Sequence, residues 1–132
     1  MFFFYFAFPQ DTFYMKHLID EDGKIHRRFT GESISGIVYK SFDDRNINKK
    51  FVGRVSNSFK DGLWTQWWDN GHKKSSGTYI EGIKNGFWYE WNTDGIMHFE
   101  TLYKLGQVIQ AKNCFSDICD SSLIQKEIQI KF

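Results

Sequence analysis

The sequence predicts an all-β protein: tandem β-hairpins with a period of about 24 residues, joined in one elongated, twisted antiparallel sheet with a C-terminal cap. Three observations carry this reading. Gly62-Leu63-Trp64-Thr65-Gln66-Trp67 returns as Gly86-Phe87-Trp88-Tyr89-Glu90-Trp91, an offset of 24 residues. The offset persists downstream, where Asn70-Gly71 becomes Asp94-Gly95, Tyr79 becomes Tyr103 and Gly82 becomes Gly106. Glycine also recurs too often for an apolar stripe of helical period to survive, whereas short aromatic runs between turn residues suit strands.

Within each copy, Gly-x-Trp-x-x-Trp is the outgoing strand, and residues 72–80 and 96–104 are the return strands. Asn70-Gly71 and Asp94-Gly95 predict two-residue type I′ turns, in which both central residues take positive φ. Residues 81–86 read as a longer turn into the next copy. A two-residue turn places Trp64 opposite Gly77, Gln66 opposite Ser75 and Trp68 opposite Lys73. In the following copy Trp88 faces Thr101 and Trp91 faces His98. An aromatic ring over a small cross-strand residue covers backbone that is otherwise exposed. Alternation puts Trp64, Trp88, Tyr79 and Tyr103 on one face, with Leu63, Thr65, Trp67, Phe87, Tyr89 and Trp91 on the other.

Outside this block the chain divides into an apolar N-terminal segment (1–12), the repeat region (13–110) and the C-terminal cap (111–132). Residues 1–8 are apolar and end at Pro9, far short of the roughly 20 residues a membrane helix needs. They suit either a first strand packed on the sheet or the truncated end of an export signal. The compartment, cytoplasm or cell envelope, follows from which is true. From Phe13 the repeat is degraded: Asp22-Gly23 marks a turn, and residues 31–36 parallel 82–86. Gly36-Ile37-Val38 then takes the place of Gly62-Leu63-Trp64, offset by 26 residues. The two extra residues fall near Asp43-Asp44-Arg45-Asn46 and predict a longer hairpin loop. Gly53 and Gly62 rejoin the register of Gly77 and Gly86, making roughly four copies. Residues 121–132 contain no glycine; Ile128, Ile130 and Phe132 alternate as a strand would, Ile124 and Ile128 also suit a short helix, and the segment reads as the cap.

Over residues 51–106 the pattern Gly-x-Trp-x-x-Trp, Asn-Gly, Gly-x-Tyr and Gly-x-x-x-Gly resembles the variant MORN repeat (membrane occupation and recognition nexus). The likeness is greatest to the bacterial YwqK-type proteins labelled antitoxins. The resemblance implies tandem hairpins without a catalytic centre, and an antitoxin-like role in a bacterium. Choline-binding repeats share the aromatic and Asn-Gly character, but their period is shorter.

The residues themselves narrow the function classes. A net charge of +1 lacks the footprint of a nucleic-acid binder. Cys114 and Cys119 are too few for a zinc site; they form a disulfide if the chain is exported and remain thiols in the cytoplasm. His17, His26, His72 and His98 show no ligand spacing. Asp22, Asp69 and Asp94 sit at turns, where such side chains support backbone geometry. No nucleophile triad, phosphate loop or carboxylate pair is visible, so no catalytic residue, cofactor or metal is expected. The basic pairs Arg27-Arg28, Lys49-Lys50 and Lys73-Lys74 read as solvated surface.

Comparison between copies assigns the two faces. Trp64/Trp88 and Tyr79/Tyr103 are identical, as a stacking core requires, and Gly62 and Gly86 belong to that structural framework. Leu63/Phe87 and Thr65/Tyr89 differ, which suits a face whose content is set from outside the repeat. Trp67, Phe87, Tyr89 and Trp91 are accordingly the candidate partner-binding residues, expected as one aromatic strip along adjacent strands. The expected function is a non-catalytic module for protein–protein binding or scaffolding. The alternative is a cell-envelope module that binds glycan or lipid through the aromatic face.

Overall fold

The computed structural model describes residues 10–115 and 118–120; residues 1–9 and the expected capping segment 121–132 lie outside the described residues. The strands are β1 (Thr12–Tyr14), β2 (Leu18–Glu21), β3 (Lys24–Arg27), β4 (Gly36–Ser41), β5 (Lys49–Ser56), β6 (Phe59–Trp67), β7 (Lys73–Ile80), β8 (Ile83–Trp91), β9 (Met97–Lys104), β10 (Gln107–Phe115) and β11 (Ile118–Asp120). One 3-10 turn, Met15–His17, joins β1 to β2. From β4 to β11 the sheet is an antiparallel meander in chain order, and β1 adds to its edge parallel to β4.

The repeat is written in the strand bounds. β5, β7 and β9 begin at residues 49, 73 and 97, and β6, β8 and β10 at 59, 83 and 107. Three copies of a two-strand unit therefore follow β4 at a constant spacing. The pairings Trp64–Gly77, Gln66–Ser75 and Trp88–Thr101 are present.

The turns exchange the roles expected of them. Trp68 N–H donates to His72 O, Gly71 N–H donates to Trp68 O, and Gly71 has φ 88° while Asn70 stays out of the positive region. This is a three-residue loop with a glycine bulge, not a type I′ turn. Asn92 to Ile96 repeats it. One residue of each return strand, Lys74 and then His98, is consequently passed over in the pairing. Trp67 pairs with Lys73 in place of Trp68, and Trp91 pairs with Met97 in place of His98. The tight turns are at the opposite end. Glu81-Gly82 has φ 48° and 80°, so residues 83–86 already belong to β8 and the expected long turn is absent. Asn57-Ser58 and Leu105-Gly106 have the same form. The longer loop expected near Asp43 is present: Phe42 N–H donates to Asn48 O, and the Asp43 carboxylate accepts from the Ile47 and Asn48 N–H groups.

Gly36–Ser41 takes its expected place as a strand paired with β5, but residues 18–27 do not continue the repeat. β2 and β3 form a hairpin off the main strand path that touches the sheet by one bridge, Lys24 to Phe59. Its Leu18 and Ile25 are buried with Phe13, Ile34, Val38, Val55 and Trp64. A sheet with apolar residues on both faces must be covered, and this hairpin roofs one face of the first copy. The boundaries drawn at 12/13 and 110/111 fall inside β1 and β10, because strand pairing continues across both.

Trp64 is 1% exposed and Trp88 4%. Neither ring lies over its hairpin partner. A Cβ built on Gly53 would meet the Trp64 ring at 2.4 Å, and one on Gly77 would meet Trp88 at 2.1 Å. Each indole tips onto the preceding strand, since the glycine opposite Trp64 is already occupied by Trp88. The Trp64 and Trp88 indole N–H groups donate to Arg54 O and Thr78 O, at 2.8 and 3.2 Å.

Trp88→Ala should destabilise by about 3–5 kcal/mol, and Gly77→Ala by about 1–3 kcal/mol, because the methyl overfills the site. With Trp88 already alanine, Gly77→Ala has nothing to strike, so a double-mutant cycle by chemical denaturation should be strongly non-additive. Additive losses would separate the two residues. Leu105, at φ 46° and 64% exposed, occupies backbone that asparagine tolerates better. Leu105→Asn should raise stability by about 1 kcal/mol, read as a higher melting temperature.

Candidate functional site

The two faces of the repeat sheet carry different chemistry. On the first, the rings form an edge-to-face ladder along the strand order. Trp64 to Tyr79, Tyr79 to Trp88 and Trp88 to Tyr103 have centroid separations of 6.1, 4.9 and 6.4 Å, with interplanar angles of 87°, 77° and 80°. Such perpendicular contacts are favoured by the ring quadrupole. Gly62 and Gly86, on the strands that bear the two tryptophans, have φ 71° and 82° with open space around them. Their part is conformational.

Lysine completes each copy, a residue the sequence reading passed over. Lys60 Nζ lies 4.8 Å from the Trp64 and Tyr79 ring centroids. One repeat on, Lys84 Nζ lies 4.5 Å from Trp88 and 5.1 Å from Tyr103. The signal was available, since both lysines stand four residues before their tryptophan. The two stations differ in cover. Lys60 is 2% exposed, forms an ion pair with the Asp20 carboxylate of β2 and donates to Tyr79 Oη at 3.4 Å. Lys84 and Tyr103 are half-buried.

Beyond the second station the same face opens into a groove of about 510 Å³ bordered by Lys84, Trp88, Trp68, Lys74, Glu90 and His98. Lys74 Nζ sits 4.6 Å from the Trp68 centroid, and Trp68 Nε1 donates to Trp91 O at 3.0 Å. His98 Nδ1 is buried there without a hydrogen-bond partner.

On the opposite face, Phe87, Tyr89 and Trp91 follow one another along the single strand β8, the first pair stacked and the second tilted by 45°. Phe87 to Tyr89 is 6.4 Å with the planes 19° apart, and Tyr89 to Trp91 is 6.2 Å. Phe87 is 49% exposed, and Leu63 is 59% exposed. Around Tyr89 the cross-strand row is Thr65, Ser76, Tyr89, Glu100 and Lys112. Thr65 and Ser76 hydroxyls are 3.0 Å apart, and Lys112 pairs with Glu100 at 3.7 Å. Lys73 caps the strip, 5.6 Å from the Trp91 ring.

Trp67 is not part of that strip. β7 separates β6 from β8, and two strand spacings of about 4.8 Å keep the Trp67 ring from Tyr89. Trp67 packs instead against the buried cluster, donates Nε1 to Phe51 O at 2.8 Å, and has Lys50 Nζ 4.4 Å from its ring.

Cys114 and Cys119 are directly paired across β10 and β11 and are joined as a disulfide. Among the described residues no three His, Cys, Asp or Glu side chains gather as metal ligands, and no helix is long and apolar enough to cross a membrane. The chain matches no protein-family model, no curated protein and no solved structure.

Burial pushes the Tyr79 hydroxyl above its ordinary value of 10.0; the Lys84 charge pulls it down, and Asp20 and Tyr103 add to the rise. With the folded value raised, the unfolded chain releases this proton first. The stability Tyr79 contributes is therefore full below pH 10.0 and is lost as the pH rises through the folded value. Denaturant midpoints should fall above pH 10.0, and less steeply in Tyr79→Phe than in wild type. Parallel falls would remove Tyr79 from the alkaline transition.

Proposed function

We propose that the chain is a non-catalytic β-repeat module that binds another protein through the Phe87–Tyr89–Trp91 strip of β8. One observation carries the reading: this face keeps large rings in contact with water while the opposite face uses its rings for packing. Exposed contiguous apolar surface marks interaction sites, and aromatic anchors supply most of the energy at protein interfaces. Leu63, 59% exposed, widens the apolar surface on the same face. Beside it the buried Thr65 hydroxyl is bonded to that of Ser76, and the Glu100–Lys112 pair supplies a polar rim. The resemblance to variant MORN repeats of the antitoxin-labelled type makes a protein the leading partner class, with no cofactor in the scheme.

Phe87 and Tyr89 lie nearly parallel, a geometry that also suits stacking on a sugar ring, so a glycan-binding envelope module is the second reading. Affinity capture from the native cell, followed by mass spectrometry, separates the two. A specific protein should be retained by wild type and lost with Tyr89→Ala, whose melting temperature should change little. Trp64→Ala should lower stability by about 3–5 kcal/mol and binding together. Saturable glycan binding by purified protein, with no protein retained, would favour the second reading. A large stability loss in Tyr89→Ala with capture intact would return the strip to the core.

A further inference from the structure

The hairpin β2–β3 shows what kind of surface fits one copy of the lysine–aromatic station. Leu18, Asp20 and Ile25 share the side of the hairpin that meets the sheet, since Asp20 pairs directly with Ile25 and Leu18 with Arg27. Leu18 and Ile25 are 5% and 0% exposed, and the Asp20 carboxylate meets the Lys60 ammonium above Trp64 and Tyr79. An ammonium so enclosed requires a partner charge, and the hairpin brings it.

The hairpin stops one copy short. Its turn abuts the next one, where a Cβ on Gly23 would meet Gly82 O at 2.1 Å, so it roofs the first station only. At the second, Lys84 stands over Trp88 and Tyr103 in the same arrangement, and none of the described carboxylates pairs with it. Lys74 adds a second positive charge to the groove against one carboxylate, Glu90. His98 Nδ1 is a buried polar atom on the same groove that lacks a partner, which buried groups rarely do.

We infer that the second station receives an acidic segment of a partner polypeptide, an Asp or Glu between branched aliphatic side chains, seated on Lys84 as Asp20 is seated on Lys60. The carboxylate meets the ammonium, and the aliphatic flanks cover Tyr103 and the edge of Trp88. A polypeptide fits better than a small carboxylate, because the groove runs on past Trp88 to Trp68 and His98 and its counterpart is covered by two strands. This surface is on the opposite face from the β8 strip and does not depend on it.

The probe is the chain's own covering sequence: a labelled synthetic peptide of residues 17–28, closed into a hairpin by added terminal cysteines, titrated into the full chain by fluorescence anisotropy. Saturable binding is expected, weakened at least about tenfold by Lys84→Gln in the protein and equally by Asp20→Asn in the peptide. The peptide change leaves the protein's fold untouched, and melting temperature monitors Lys84→Gln. Absence of saturation up to millimolar peptide overturns the proposal. So does affinity indifferent to Lys84→Gln, which would mean exchange at Lys60, or to the peptide carboxylate. Lys84 shielded from acetylation in the peptide-free chain, and unmasked by deleting residues 121–132, would assign the station to this chain's own terminus and likewise overturn it.

Discussion

An indole ring laid on a glycine of the preceding strand is the contact the sheet depends on. It needs three things at once: a glycine with no Cβ, a tryptophan four residues after a lysine, and a carbonyl placed to accept the indole N–H. Gly53, Lys60, Trp64 and Arg54 O supply them in one copy, and Gly77, Lys84, Trp88 and Thr78 O in the next. Tyr79 and Tyr103 then fit edge-on against the tryptophans and link copies into a ladder. The third copy ends it: the residue 24 positions after Trp88 is Lys112, and a register shift in β10 pairs it with Glu100 on the opposite face and leaves Ala111 opposite Thr101. Since each ring rests on the strand before it, stability passes between neighbouring units, as in other repeat architectures.

A single sheet of this kind has two broad faces to protect, and the chain treats them differently. The N-terminal hairpin folds back over the first copy and neutralises Lys60 with Asp20, giving a buried cluster that runs from Phe13 to Trp88. The second copy protects its tryptophan with its own lysine stem and tyrosine, which leaves the charge of Lys84 at the border of a groove. Among the described residues no hairpin covers β8 on the opposite face, and there Leu63/Phe87 and Thr65/Tyr89 differ between copies while the ladder residues do not. Contact within the repeat demands identity, and contact outside it does not.

Loop stacking keeps the copies in register at the other end of the strands. Lys40 Nζ donates to Trp67 O, Lys50 Nζ to Gly71 O, and Asn70 Nδ2 to Thr93 O, at 2.8, 2.7 and 2.7 Å. Each bond ties a side chain of one strand or loop to a carbonyl of the next. These carbonyls lie at strand ends that the sheet ladder leaves unsatisfied, so the bonds meet a demand the bulged loops create.

The sequence by itself determined the all-β class, the 24-residue period, the Trp64–Gly77 and Trp88–Thr101 pairings and the separation of ladder residues from strip residues. All of these follow from spacing and alternation within neighbouring strands, which local pattern encodes. Tertiary structure alone decided which strand each indole leans on, since the glycine opposite Trp64 is equally small but already taken. It also decided that Asn70-Gly71 closes a three-residue loop, because that dipeptide serves both turn forms. It drew Trp67 away from the strip and onto the buried cluster, where its indole N–H donates to Phe51 O. Above all it turned residues 18–27 from an expected weak repeat into the roof of the first copy. That role rests on Asp20 meeting Lys60, a contact between segments far apart in the chain, and no local periodicity carries the information for it.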